Sequence, residues 1–422
     1  MSAKQELSKQ AMILIIARGI SFFLTLGIPL ILVRHLTQIE FGAYKQSLLL
    51  YATAASLLPW GMSQSLYYFI PKEPQNRIGY LANSFLFLLI VAALSLIGFI
   101  FAGPALKQYF HSTELADCSP IVGLYSFFMI ASIYCEVALI SNNRAVAAAS
   151  VILLNETVKA LALIGGAIIF HSFAGVITML AIAAAIRFLL LSAYFYSDLK
   201  IIIKGPNLTL FRKQWQYAMP FGLMVLVGTV HDYFHQYYIS YSYSSAQFAI
   251  YAVGCLQLPL VDLFHSSIGD VAMVKMTEQL RDSNKVEARN IWHDAILKLA
   301  VIFIPLMIYL WLVGYQFITF LFTENYQNSV AIFKVILLEM ITAPLLVDSV
   351  LRVFGETNFM LRLTVYRLPV TVFLVIFSLT RMGMIGAAAS TVVVMSLMRI
   401  IALVRIRQLL QIGFKDLLPW YN

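Results

Sequence analysis

Long apolar runs separated by short polar stretches set the pattern of this chain. Runs of the length that crosses a bilayer, about 20 residues each, fall at 11–33, 44–66, 80–102, 119–140, 146–170, 173–196, 214–240, 246–270, 296–320, 328–350, 362–380 and 384–406. They predict an all-α polytopic membrane protein with about 12 transmembrane helices. The segments between them are short: the longest outer one is roughly 103–118, and the one sizeable inner stretch is "KMTEQLRDSNKVEARNIWHD". Its mixed charges predict a surface helix, and neither segment has room for a folded catalytic domain. The opening "MSAKQELSKQ" imitates the start of a signal peptide, but no small-residue cleavage site ends a short apolar region. It reads as the lead into a retained first span.

A faint internal repeat runs through the pattern. "EFGAYKQ" (Glu40 to Gln46) and "QFAIYAVG" (Gln247 to Gly254) share Phe-x-x-Tyr at an offset of 207. "YFHSTELADCSP", before the fourth span, pairs with "LFTENYQNSV", before the tenth. Both echoes lay the first six spans onto the last six in one orientation, as in transporters built from parallel halves. The expected organisation is two six-helix bundles, 1–200 and 201–422, around a central cavity.

Composition agrees with this and adds an orientation. Hydrophobic residues make up 61% and charged residues 12% of 422, against roughly 45–50% and ~25% in a soluble domain. With the N-terminus inside, 20 Lys and Arg fall in inner segments, while Arg34, Lys45, Lys107 and Arg381 fall on the outer side. By the positive-inside rule both termini are cytoplasmic. The net charge of +9 is then a matter of orientation and contact with anionic membrane lipids, not of nucleic-acid binding. Cys118, Cys135 and Cys255 are scattered and odd in number, which predicts free thiols in packed helices.

Five basic residues remain within spans: Arg18, Lys159, Arg187, Lys334 and Arg399. A central charge costs about 2.5–3.5 kcal/mol to insert, so such groups face a polar interior and mark a pathway. These five are the substrate-binding candidates. Arg18 heads a polar stripe with Ser21 and Thr25 on one helix face, whereas Glu156 and Lys159 can neutralise each other three residues apart. A cationic cavity suits a phosphate or diphosphate, which accepts bidentate bonds from guanidinium. A pump for organic cations would instead use acids and aromatics. Acids are present: Glu136, Asp232, Asp262 and Glu339 lie in spans, and Asp270 and Asp348 lie near the inner boundary. Asp232 and Asp262 neighbour His231 and His265, and a carboxylate beside an imidazole can exchange protons. These four, with Glu136 and Glu339, are the coupling or gating candidates.

"HDYFH", residues 231–235, imitates the zinc motif H-E-x-x-H. A membrane metalloprotease needs a third ligand, an aspartate before glycine, and no Asp-Gly pair occurs in the sequence. Asp232 is also one carbon shorter than the glutamate base. The stretch is read as a transport-path element holding no metal.

Taken with the twelve spans, "LILVRHLTQIEFGAYKQ" and "HDYFHQYYISYSYSSAQFAIYAVGCLQLP" make the chain resemble the polysaccharide flippase branch of the multidrug, oligosaccharidyl-lipid and polysaccharide exporter superfamily. The resemblance implies a non-enzymatic flippase that moves an undecaprenyl-diphosphate-linked oligosaccharide (an O-antigen, capsule or exopolysaccharide unit) from the inner to the outer leaflet of a bacterial inner membrane by alternating access. It implies no cofactor beyond a coupling ion, H+ or Na+, and a monomeric transporter working beside polysaccharide-assembly proteins. Arg18 matches the first-helix arginine proposed to meet the diphosphate in lipid II flippases. Tyr233 departs from the arginine that follows the aspartate in many relatives, which weakens any role carried over to Asp232. The alternative is a cation-coupled multidrug or toxin exporter of the same fold, with Asp232, Glu136 and Glu339 carrying protons or sodium. An intramembrane metalloprotease or glycan polymerase is a remote third, disfavoured by the short outer segments.

Overall fold

A computed structural model of the protein describes residues 27–142, 144–194, 206–281 and 284–419. No strand occurs among these residues, and the predicted spans are mostly helix where they are described, with breaks such as those at 58–61 and 255–258. Seven helical segments among them are long and apolar enough to cross a membrane, so the chain is a multi-pass membrane protein. The Arg77–Tyr109 helix has 33 residues and is therefore about 50 Å long, well beyond the ~30 Å hydrocarbon core.

Local chemistry explains where several elements begin and break. The predicted spans at 362–380 and 384–406 form one 54-residue segment, Thr357–Leu410, whose two helices meet at Gly383 with φ 62° and ψ −150°. Only glycine enters that region without strain. The charged inner stretch is not a separate surface helix, as its mixed charges suggested. It is shared between the ends of Pro259–Arg281 and Lys285–Leu312, where Asn284 caps the second helix by accepting from the Glu287 amide at 3.0 Å. Charge on exposed helix ends is cheap, so both helices extend into the charged stretch.

The repeat is visible in the helix caps. Thr37 and Glu40 form a reciprocal capping box, Thr37 N to Glu40 Oε2 at 3.0 Å and Glu40 N to Thr37 Oγ1 at 3.3 Å. At the offset of 207, Ser244 and Gln247 do the same at 3.2 and 3.4 Å. Each box starts a helix whose Phe-x-x-Tyr pair is buried: Phe41 with Tyr44, and Phe248 with Tyr251. The second echo also holds. His111 (φ 49°) and Thr323 (φ 69°) each turn the chain just before a short helix, Thr113–Asp117 and Glu324–Tyr326.

The chain divides into two compact units, Met1–Thr229 with Ser240–Ala249, and Val230–Ile239 with Ile250–Asn422. The division thus runs within the Leu208–Ser242 helix. Its first half is held in the first unit by buried amides: Gln214 donates to Ser65 and Ser84 hydroxyls at 3.1 Å each. Asn83 and Asn207 exchange two bonds of 3.1 Å. Also in the first unit, Gln46 donates to Ser240 Oγ at 2.7 Å and accepts from Ser245 Oγ at 3.2 Å.

Candidate functional sites

In the first unit, helices of the Ser119–Ser141, Val146–Phe170 and Phe173–Tyr194 segments line a cavity of about 250 Å³ that is open on the side of Leu154 and Leu190. Its wall is mostly apolar, with Tyr125, Met129, Leu154, Val158, Leu180 and Leu190, and Lys159 and Arg187 bring charge to it. The structure therefore brings together two of the five candidate cations. Their environments differ. The Lys159 ammonium is paired with the Glu156 carboxylate, which Asn155 also holds with a 3.0 Å bond to Oε1. Arg187 donates from Nη1 to Ser132 Oγ at 3.0 Å and to Met129 Sδ at 3.1 Å, and its buried Nε has no partner. Among the described residues its contacts are neutral, so the cavity carries an uncompensated positive charge in a low-dielectric setting.

In the second unit the segment Ser329–Val353 is a broken span. An α-helix, Ser329–Leu337, gives way to 3-10 turns at Leu338–Ile341 and Ala343–Leu345, and Leu346 takes φ 47° before helix Val347–Val353. Pro344 sits in the break, where its missing N–H disfavours continuous helix. Backbone groups freed at membrane depth need partners or a wet cavity. Arg399 supplies part of this. It donates from Nη2 to Glu339 Oε1 at 3.0 Å and from Nη1 to Thr342 Oγ1 at 2.7 Å, and reaches the Glu339 carbonyl at 3.4 Å. Beside the break lies a cavity of about 220 Å³ lined by Gln257, Asp262, His265, Glu339 and Arg399 among apolar residues. Three coupling candidates and one substrate candidate thus share one site.

Asp232 stands in a second polar group of this unit. Its Oδ1 accepts from His231 Nδ1 at 2.8 Å and pairs with Arg367 Nη2 at 3.5 Å. The carboxylate is 61% exposed while Arg367 is 18% exposed. Arg367 is the residue that sequence reasoning missed, because it was counted with the charges of the inner segment 351–367. Helix runs unbroken from Thr357 through it, and its place inside the predicted span 362–380 was the signal that could have found it. His235 bonds instead to Tyr251 Oη at 2.7 Å. The two histidines of "HDYFH" therefore take separate partners, and no three His, Cys, Asp or Glu among the described residues are grouped to hold a metal.

The remaining candidates lie elsewhere. Lys334 lines neither of these cavities, and its ammonium sits 4.7 Å above the Trp311 ring, a cation–π contact. Glu136, on the Ile133–Ser141 helix, lines neither cavity. Arg18 lies outside the described residues.

The fold is that of transporters of the MOP superfamily. The structure is similar to an inward-facing multidrug resistance MATE family transporter of that superfamily, with TM-score 0.75 and 13% identity over 93% of this chain and 94% of that one. It is similar to the lipid II flippase MurJ in an inward closed conformation, with TM-score 0.71 and 16% identity over 96% of this chain and 89% of that one. A MOP superfamily transporter from Pyrococcus furiosus matches with TM-score 0.63 and 13% identity over 97% and 96%. The chain itself belongs to the polysaccharide biosynthesis protein family, whose model matches residues 31–331. No curated protein matches it in sequence.

Proposed function

We propose that this protein is a flippase rather than an enzyme, carrying a lipid-linked anionic oligosaccharide of the O-antigen, capsule or exopolysaccharide kind across a bacterial inner membrane. Both termini are cytoplasmic in this reading, and transport proceeds by alternating access. The observation that carries it is Arg187: a guanidinium lining a cavity, whose hydrogen-bond partners among the described residues are neutral. A group that costs so much to bury is stabilised when an anion reaches it, and membership of a polysaccharide biosynthesis family points to a phosphate-linked sugar. The lipid II flippase of the same fold supports the same reading. The test is translocation of a lipid-linked oligosaccharide by the purified protein in vesicles. Arg18→Ala is expected to reduce flipping to background with normal insertion, and Arg18→Lys to restore part of it, because an ammonium keeps charge without the planar fork. Wild-type flipping by Arg18→Ala would remove this arginine from the path.

A proton or sodium ion drives the cycle in this proposal, through the second unit. Asp232 and Glu339 are each held by an arginine, whereas Asp262 shares its cavity with His265 and has no arginine partner among the described residues. Asp262→Asn is therefore expected to flatten the pH or sodium dependence of transport more than Asp232→Asn. Unchanged ion dependence in both would leave the acids as structural counter-ions. The cation-coupled drug exporter remains the second reading, favoured by these same acids. Efflux of organic cations by vesicles that do not flip lipid-linked sugar would establish it.

A further inference from the structure

We infer that the first-unit cavity is a lipid-phosphate subsite, in which Arg187 takes the phosphate of an anionic lipid substrate and the apolar wall takes the first isoprenoid units of its chain. The inference rests on the flippase reading and adds to it a place for the phosphate end of the substrate.

Four observations converge. The cavity, at about 250 Å³, falls below the roughly 300–1,000 Å³ of sites for drug-sized ligands, so it holds one part of a larger molecule. Its wall is too apolar for sugar: Tyr125, Met129, Val151, Leu154, Val158 and Leu190 line it, and sugar hydroxyls would lose their water there without recovering partners. Its charge is unbalanced among the described residues, since Glu156 pairs with Lys159 while Arg187 donates to Ser132 and Met129. Ser132 and Met129 engage Nη1 alone, so guanidinium donors remain for an anion. Depth fits as well. Arg187 lies about 10 Å along its helix from Tyr194, which is toward the cytoplasmic side in the proposed orientation, so a lipid phosphate of the inner leaflet approaches from that side while its chain stays in the apolar slot. An apolar slot with one cation is complementary to an amphiphile with one anionic end, and to neither end alone.

The Glu156–Lys159 pair gives the proposal a signed consequence. Lys159 lines the cavity but Glu156 does not, so removing the carboxylate frees a second cation for the same anion. The experiment measures binding of farnesyl phosphate, farnesol, inorganic phosphate and a short-chain phosphatidylglycerol to the purified full-length protein. Farnesyl phosphate is expected to bind at least about tenfold more tightly than farnesol, tenfold being the least that one charge-assisted contact supplies, and more tightly than inorganic phosphate and phosphatidylglycerol through the fit of its chain to the slot. Arg187→Gln should weaken it by about tenfold or more without changing farnesol, and Glu156→Gln should tighten it. Leu154→Trp, which fills the slot from an exposed position, should weaken farnesyl phosphate and leave inorganic phosphate unchanged, so the proposal stays testable if Arg187→Gln fails to fold. Undiminished farnesyl phosphate binding in both folded variants overturns the inference, and if the wild type still flips lipid-linked sugar the flippase reading survives it. Equal binding of phosphatidylglycerol overturns it differently, by assigning the cavity to a bulk phospholipid. Arg187-dependent binding in a protein that flips no lipid-linked sugar overturns the flippase reading, and with it the assignment of this phosphate to a substrate.

Discussion

Gly42→Ala is expected to abolish transport and to lower the stability of the folded protein by more than about 1–3 kcal/mol, the usual cost of overpacking a core. A Cβ added at Gly42 would lie 1.9 Å from the Ser245 carbonyl oxygen and 2.5 Å from its carbon. That is far inside the ~3.3 Å of even a close C–H···O contact. Both obstacles are backbone, so no side chain can swing aside. The backbones are also pinned, on one side by the Thr37–Glu40 capping box and on the other by Ser244–Gln247. Between them Gln46 bridges to Ser240 and Ser245. The two Phe-x-x-Tyr repeats thus supply the helix starts that meet here, and Gly42 is where the approach is closest to backbone. Thermal unfolding in detergent and vesicle transport measure the two effects. Gly98→Ala is the control, because nothing lies within 4 Å of its added Cβ and alanine favours a helix interior by about 1 kcal/mol. Wild-type stability and transport in Gly42→Ala would show that this contact is not needed.

Much of the fold was legible because hydropathy is additive along a chain. A twenty-residue apolar run leaves few choices besides a membrane helix, and the repeat was legible because Phe-x-x-Tyr recurs at an offset of 207, whereas the capping boxes beside it emerged only with the structure. The breaks were less so. Pro344 marks the interruption of Ser329–Val353, but nothing in the local pattern shows that 3-10 turns follow on both sides of Thr342. At Gly383 the sequence showed two spans and the structure shows how closely they join.

The site was legible one residue at a time and not as a constellation. The cost of burying charge singled out Lys159, Arg187 and Arg399, and the helical spacing gave the Glu156–Lys159 pair. Neighbours in sequence also gave His231 with Asp232. Cross-helix partners are another matter. Arg399 with Glu339 and Arg367 with Asp232 are separated by 60 and 135 positions, and no periodicity encodes such a pairing. Lys334 was singled out by the same cost, and its contact with the Trp311 ring is likewise one that no helical spacing encodes.

Arg399→Met is expected to cost about 1.5–3 kcal/mol of stability, the range for hydrogen bonds to a charged group, and to stop transport. The change removes the guanidinium from three groups and strands the Glu339 carboxylate among them, since the Glu339 carbonyl still accepts from Thr342 N at 3.1 Å and the Thr342 hydroxyl still donates to it at 3.4 Å. Loss of a fully buried partner costs about 3–5 kcal/mol, but Glu339 is 35% exposed against 17% for Arg399, so the cavity's own solvation softens the penalty. Glu339→Gln should cost less, because an amide oxygen still accepts from the guanidinium. The double variant Arg399→Met, Glu339→Leu separates stability from function. With both charges gone nothing ionised is left unpaired, and replacing a buried pair by apolar groups is often neutral or stabilising, so stability should return toward wild type. Transport should not return, because the cavity has lost both the cation and one of the carboxylates that line it. Chemical unfolding and vesicle flipping of the same three variants decide the matter. A double variant that is no more stable than Arg399→Met would mean that the guanidinium acts mainly through the broken backbone rather than through Glu339. A double variant that flips substrate at the wild-type rate would take this charged pair out of the transport path.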